Sequence, residues 1–494
     1  CRFHIFKRLK LFLIIHHADD ELARQTILDS QVFDDIGLKH EYAVLLDERF
    51  GCLTSEQRET WFRRVDAGPK EDGEAREYWR FSKLHLVRRH LEEERKREYD
   101  QFFAKFGEPT LADFVVYHDT AWGHVSPMTV EDLTKLEFHE VVDRVSSWRP
   151  QKTGWREPEI EGLAETFSRY IDTDPRAFSS HAGRLKERAA IYVDRFIQKM
   201  AEAVRAGKEI DLDSVLDLCV WVLGRPVSER TTPVEAQGPL ADKDWSWTRD
   251  QIAEFARQVC EARRNDLPTY DLESYRSRLR GLVEPLCQGD PATYIVRDTS
   301  KDDPRVHDYL DHAINSARGK ALQAAFAYAR WVAIHVKEVR GIEEIVPGGF
   351  DQMPEVREVL EWQLRSENRT TEGLAIIGAH INAIYWIDRH WLTQNATEIF
   401  DLRSSYEQTW KTSWAAWNAF VVWVHPHIEY YKVLKHQYNV AVTESKTVTV
   451  TEDSRHQQPM LRLGEHLMLF YGRGQLGFDD DSGLLRQLLA AANH

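Results

Sequence analysis

Arg330 and His335 stand five residues apart in a helical stretch of the sequence, an R-x4-H spacing. An imidazole can take or give a proton near neutral pH, and a guanidinium can steady a phosphate through paired N–H donors. Together they could serve phosphodiester cleavage. The segment around them, Ala321 to Ile334, carries Ala, Ile, Leu, Phe, Tyr and Trp on nearly every face. A helix apolar all round is expected at the centre of a helical body, with Leu322, Phe326 and Ile334 buried. An Arg330 buried there is expected to pair with a carboxylate or a backbone carbonyl, which withdraws it from catalysis.

Other constellations are weaker. Gly472-Arg473-Gly474-Gln475-Leu476-Gly477 has the G-x-G-x-x-G spacing, but it follows the helix-like run Leu463 to Tyr471. A dinucleotide loop follows a strand and opens a helix. Asp479, Asp480 and Asp481 come directly after it and would repel phosphate, so a glycine-rich helix exit is expected. Glu444-Ser445-Lys446 resembles the E-x-K half of restriction-type nucleases, which needs a further acidic residue and a core sheet. His425-Pro426-His427 with His436, and His16-His17 with Asp19-Asp20, read as polar loops rather than metal ligands. The sequence holds no G-x-x-x-x-G-K-[ST], H-E-x-x-H or G-x-S-x-G. No cofactor and no metal site is expected.

The composition narrows the class. The net charge is −15, with 80 Asp and Glu against 65 Lys and Arg. Nucleic acids and anionic membranes demand clustered positive charge, so binding to either is disfavoured. The five cysteines Cys1, Cys52, Cys219, Cys260 and Cys287 form no C-x-x-C and are widely spaced. That fits a reducing, cytoplasmic setting better than a disulfide framework. The apolar run Leu11 to Ile15 is far too short to span a membrane. The chain opens on Cys1-Arg2-Phe3-His4 rather than Met, in helix-like sequence, and is expected to be a piece of a longer polypeptide.

Helix periodicity dominates. Val193, Phe196, Ile197, Met200 and Val204 form one apolar stripe, as do Leu163, Phe167, Tyr170 and Ile171, and Ile252, Phe255, Ala256, Val259 and Cys260. Thr129 with Asp132 reads as a capping box, Asp174-Pro175 as a helix opening, and Pro354 as a first-turn proline. Only Tyr438 to Thr451 alternates like strand, a candidate small hairpin. The aperiodic stretch from Gly224 to Asp244 holds Pro226, Pro233, Gly238 and Pro239 and reads as a linker. The expected organisation is an N-terminal helical block 1–223, a linker 224–244 and a C-terminal block 245–494. The expected fold is all-α, built of stacked helix pairs as an α-solenoid or multi-helix array, more than half helical.

Several stretches follow one another along the chain: Phe33 to Tyr42, Val125-Ser126-Pro127, Ser147-Trp148-Arg149-Pro150, Glu161-Gly162-Leu163-Ala164 running to Asp174-Pro175-Arg176-Ala177-Phe178, and Ala313 to Leu322. The order resembles the C-terminal helical region of large bacterial STAND-like NTPases and kindred antiphage defence proteins. That resemblance implies a sensor or scaffold beside an effector or NTPase module upstream. The NTPase motifs themselves are absent from this chain, so no catalytic role carries over. The R-x4-H spacing, in turn, resembles the short motif of HEPN-type ribonucleases.

The leading expectation is a helical scaffold or sensor without catalysis of its own, recognising a protein partner, a phage protein among the candidates. Trp410, Trp414, Trp417 and Trp423 are the candidate binding residues; the first three share one helix face, which core packing would equally explain. Homo-oligomerisation through the full-length protein is a further expectation. The alternatives are a HEPN-like helical ribonuclease using Arg330 and His335, and a nucleic-acid-binding adaptor, which the charge disfavours.

Overall fold

A computed structural model describes residues 4–68, 73–107, 109, 125–150, 158–231, 244–264, 267–289, 304–305, 307–340, 348–445, 459–478 and 483–491 of the 494. Among them helix follows helix, from His4–His17 to Leu484–Ala491. Extended pairing among the described residues amounts to one bridge between Val125 and Pro158 and the antiparallel dipeptides Arg263–Arg264 and Leu267–Pro268. The protein is all-α, with its helices packed in pairs.

The local signals act as read. Thr129 accepts from the Asp132 N–H and the Asp132 carboxylate returns the bond, closing a capping box. Asp174 caps the helix Pro175–Ser179, and Pro354 opens Pro354–Leu364. The stripes Val193 to Val204, Leu163 to Ile171 and Ile252 to Cys260 are all buried.

The chain divides into two compact units, residues 1–124 with 152–157 and residues 125–151 with 158–494. In the first, helices His4–His17, Asp20–Leu28, Lys39–Arg49, Ser55–Ala67 and Glu74–Leu86 close over Leu45, Leu46, Phe50 and Trp61. The Trp61 indole donates to the Tyr42 hydroxyl at 3.0 Å, which donates to the Ile27 carbonyl at 2.7 Å. A buried indole and phenol thus satisfy each other and a helix end.

The second unit stacks its helices in two rows. One row runs Ile160–Thr173, Ala190–Arg205, Ser246–Glu261, Ala317–Arg340, Thr371–Ala379, Glu407–Trp423 and Pro459–Gly472, each packed on the next. Beside it lie Leu212–Leu223, Leu272–Cys287 and Pro354–Leu364, then Arg389–Ile399, Ile428–Ser445 and Leu484–Ala491, again packed in order. The Trp391 indole N–H, 3.4 Å from the Glu361 carboxylate, links these last two sets. One hydrophobic core extends along the rows from Leu133 to Leu485.

Two expectations are corrected. The stretch 224–244 does not divide two cores, because Ala190–Arg205 packs directly on Ser246–Glu261. Its described ends belong to the same body: Thr231 accepts from the Ala190 N–H at 2.9 Å, and the Trp245 indole donates to Glu229 at 3.1 Å. Residues 232–243 lie outside the described residues. Proline and glycine mark a loop, but composition does not say whether one core or two flank it. The boundary falls instead after residue 124. The hairpin is corrected as well. Tyr438 to Ser445 completes the helix Ile428–Ser445, and 446–451 lie outside the described residues. Tyr438, Ala441 and Val442 are buried at helical spacing, and that burial outweighs the weak helix propensity of valine and threonine.

Candidate functional site

The central helix Ala317–Arg340 lies on Ser246–Glu261 along one side and Leu272–Cys287 along another. Leu322 and Phe326 are buried as expected, and Phe326 stacks on the His380 ring at 4.3 Å. Ile334, however, is only half-buried, and Arg330 is exposed. Arg330 opens onto the cleft where Ser246–Glu261 ends and Arg263 follows, while Trp331, Val332 and Ala333 just beyond it stay buried.

Exposure does not assemble a nuclease pair. Five residues along a continuous α-helix turn the side chains about 140° apart. The His335 Nδ1 lies 2.8 Å from the Trp331 carbonyl one turn back, and its ring rests against the Trp331 indole at 5.0 Å. A carbonyl only accepts, so Nδ1 is the protonated nitrogen. Arg330 faces Arg263, Glu261 and Ala327 instead, around a cleft of about 250 Å³. The structure does not bring Arg330 and His335 together.

The tryptophans separate along Glu407–Trp423. Trp414 and Trp417 are fully buried, which removes both from the candidate surface. The Trp414 indole donates to the Leu402 carbonyl at 3.2 Å, and Trp417 sits against Phe400 and Tyr438. Trp410 is half-buried against the same core. Only Trp423 is a surface residue, 48% exposed, with its indole N–H donating to the Asp308 carboxylate at 2.7 Å. Tyr406, just before the helix, is 77% exposed. Elsewhere on the same helix Thr371–Ala379 lies unusually close: a Cβ on Gly378 would stand 1.9 Å from the Ala416 carbonyl oxygen.

No protein-family model matches the chain, and no curated protein matches it.

The remaining motifs take structural roles. The helix Pro459–Gly472 exits through Gly474 at φ +66°, with the Gly474 N–H on the Tyr471 carbonyl and the Gln475 N–H on Phe470. This is a glycine helix end; Asp479, Asp480 and Asp481 lie outside the described residues. Glu444 pairs with Arg403 at 2.8 Å on a helix, and Lys446 is outside the described residues. The His427 ring accepts from the Glu429 N–H at 3.3 Å, capping Ile428–Ser445. Among the described residues no three His, Cys, Asp or Glu are grouped to hold a metal ion. No described helix is long and apolar enough to cross a membrane.

What sequence reasoning missed is the polar interior of the second unit. Arg318 is buried, donating to the Cys287 carbonyl at 2.8 Å and the Gly289 carbonyl at 3.1 Å, with its guanidinium over the Trp362 ring. Arg369 is also buried, on the Leu364 and Glu398 carbonyls and the Thr412 and Ser413 hydroxyls. Asp194 is buried with only Arg195 on its Oδ2, at 3.1 Å, while its Oδ1 has no hydrogen-bond partner. Burial pushes its carboxyl up to about 6; Arg195 and Lys320 oppose the rise and Asp250 adds to it. Burial raises Asp250 too, against the Lys320 ammonium 3.1 Å away. One signal was available: Asp194 stands directly beside Val193 and two residues before Phe196 in an apolar stripe. Arginines such as Arg318 and Arg369 give no such sign, since their long side chains reach the core from polar positions.

Proposed function

We propose that the chain is a recognition scaffold, a helical region that presents exposed aromatic side chains to a protein partner within a larger bacterial cytoplasmic protein. In this reading it has no catalysis of its own, and an effector or NTPase module upstream supplies the chemistry, as the resemblance implies. Trp423 carries the proposal. Its indole is half in solvent yet pinned by Asp308, so little rotamer freedom is lost when a partner covers it. Indoles held in this way are the side chains that concentrate binding energy in protein interfaces. The two stacked rows of helices provide a stiff support for such a residue.

The test is affinity capture from bacterial cells with the parent chain and with Trp423→Ala/Tyr406→Ala, both checked for unchanged circular dichroism. A specific partner retained by the parent and weakened roughly thirtyfold by the double variant is expected. Equal capture by both would sink the proposal. Incubation of the purified chain with labelled RNA, and with ATP and Mg²⁺, is expected to give no turnover. Cleavage of RNA that Arg330→Ala/His335→Ala abolishes would establish the ribonuclease alternative instead.

A further inference from the structure

Arg263 and Arg330 are the two guanidiniums of the cleft at the end of Ser246–Glu261. Arg263 is fixed by the helix it follows. Its Nη1 donates to the Cys260 and Ala262 carbonyls, both at 2.9 Å, at the helix exit, where the Ala262 carbonyl also accepts from the Thr269 N–H at 3.0 Å. Those bonds occupy one corner of the fork and leave the Nε and Nη2 donors without a hydrogen-bond partner among the described residues. Arg330 projects from the neighbouring helix and makes no hydrogen bond or ion pair among the described residues. Burial holds the Arg263 guanidinium below its ordinary range, and the charge of Arg330 lowers it further. Among the described residues, then, two like charges share a cleft in which neither is ion-paired.

The acidic side chains nearby do not fill that gap. Glu261 lines the cleft and acts on Arg263, though less than Arg330 does, while its Oε2 pairs with the Arg257 guanidinium at 3.0 Å. Glu338 acts on Arg263 more weakly than Arg330 does. We propose that the cleft between Arg263 and Arg330 receives a carboxylate side chain of a protein partner. This rests on the recognition reading above and adds a specific charge preference to it. A carboxylate accepts paired N–H donors from two guanidiniums in the geometry that arginine favours. At about 250 Å³ the cleft falls below the range of pockets that hold whole small molecules, ~300–1,000 Å³. A dianionic phosphoryl group would meet the Glu261 wall with twice the charge, and the net charge of −15 disfavours a polyanion.

The experiment needs no identified partner. The full chain, deuterated and ¹⁵N-labelled at arginine, is titrated at constant ionic strength while the Nε–Hε signals of Arg263 and Arg330 are followed. The probes are acetate, inorganic phosphate, the capped peptide Ala-Glu-Ala and its Ala-Gln-Ala counterpart. Saturable shifts of both signals with acetate and Ala-Glu-Ala, and none with Ala-Gln-Ala, are expected. Arg330→Ala should weaken the Arg263 response at least about tenfold, with Arg330→Lys between it and the parent. A response to Ala-Gln-Ala equal to that for Ala-Glu-Ala, an Arg263 response unchanged in Arg330→Ala, or tighter binding of phosphate than of acetate would overturn the assignment. Trp423→Ala/Tyr406→Ala leaves this titration intact, so failure of the recognition reading and failure of the cleft are separable.

Discussion

Asp66 in the first unit and Asp194 in the second are carboxylates with opposite surroundings. Asp66 receives Arg80 at 2.8 Å and both arms of Arg95, at 2.9 and 2.7 Å, while staying partly exposed. Glu98 joins the same network through Arg80 and Arg95. Asp194 has a single ion pair and an orphaned oxygen in the interior. Around Asp66 the first unit pairs its charges where water still solvates them. The second takes arginines, glutamines and carboxylates inside, among them Arg318, Arg369, Gln363 and Asp194. Solvated pairs add little to stability, whereas a buried polar group is expensive unless every donor and acceptor is met. Sensitivity to substitution should therefore be concentrated in the second unit.

The largest effect is expected from the apolar centre of that unit. Phe326→Ala removes a buried ring stacked on His380 and should destabilise by about 3–5 kcal/mol through transfer and cavity terms. Urea unfolding read by hydrogen exchange in Ala317–Arg340 measures it, and an unchanged midpoint would show the packing to be wrong. Next comes Arg369→Ala, which strands the Leu364 and Glu398 carbonyls and should cost about 2–3 kcal/mol by the same readout. A loss no greater than that of an exposed arginine would mean that these carbonyls find other partners.

Asp194→Asn sharpens the contrast, because it should stabilise rather than weaken. The folded state binds a proton at Asp194 more tightly than the unfolded chain does, since burial raises this carboxyl to about 6. The ionised carboxylate therefore penalises folding above that pH, and the parent regains stability as pH falls through 6 toward 4. Asparagine carries no charge at either end. Its advantage over the parent should be about 1–2 kcal/mol at pH 7.5 and should fall to about a third of that at pH 4.5. An equal difference at both values would show that Asp194 does not titrate in this window. The smallest effect belongs to Asp66→Asn, at most about 1 kcal/mol in the first unit and reduced further by 0.5 M salt. A loss of several kcal/mol there would erase the distinction between the two units.

Local signals in the sequence located elements well and partners poorly. The Thr129–Asp132 box, the Asp174 cap and the apolar stripes are decided within a few residues, so spacing alone reveals them. The central helix was recognisable from its apolar faces, but the exposure of Arg330 depends on where Ser246–Glu261 ends beside it, which periodicity does not carry. The tryptophan stretch shows the same limit. A helix face bearing Trp410, Trp414 and Trp417 looks alike whether a partner or its own neighbour covers it. Leu402, Phe400 and Tyr438 are what meet Trp414 and Trp417, and nothing within the helix itself announces them. Arg263 and Arg330 are 67 positions apart (330 − 263), and only the stacking of two helices makes one cleft of them.

The approach at Gly378 also has a mechanical side. Helices separated by side chains can slide by small rotamer adjustments, as lubricated surfaces do. Here the backbone of Thr371–Ala379 meets the Ala416 carbonyl with no side chain between them, leaving no slip plane. Thr371–Ala379 and Glu407–Trp423 should therefore move as one lever, so that a load applied at Trp423 is passed along the row instead of being absorbed where it lands.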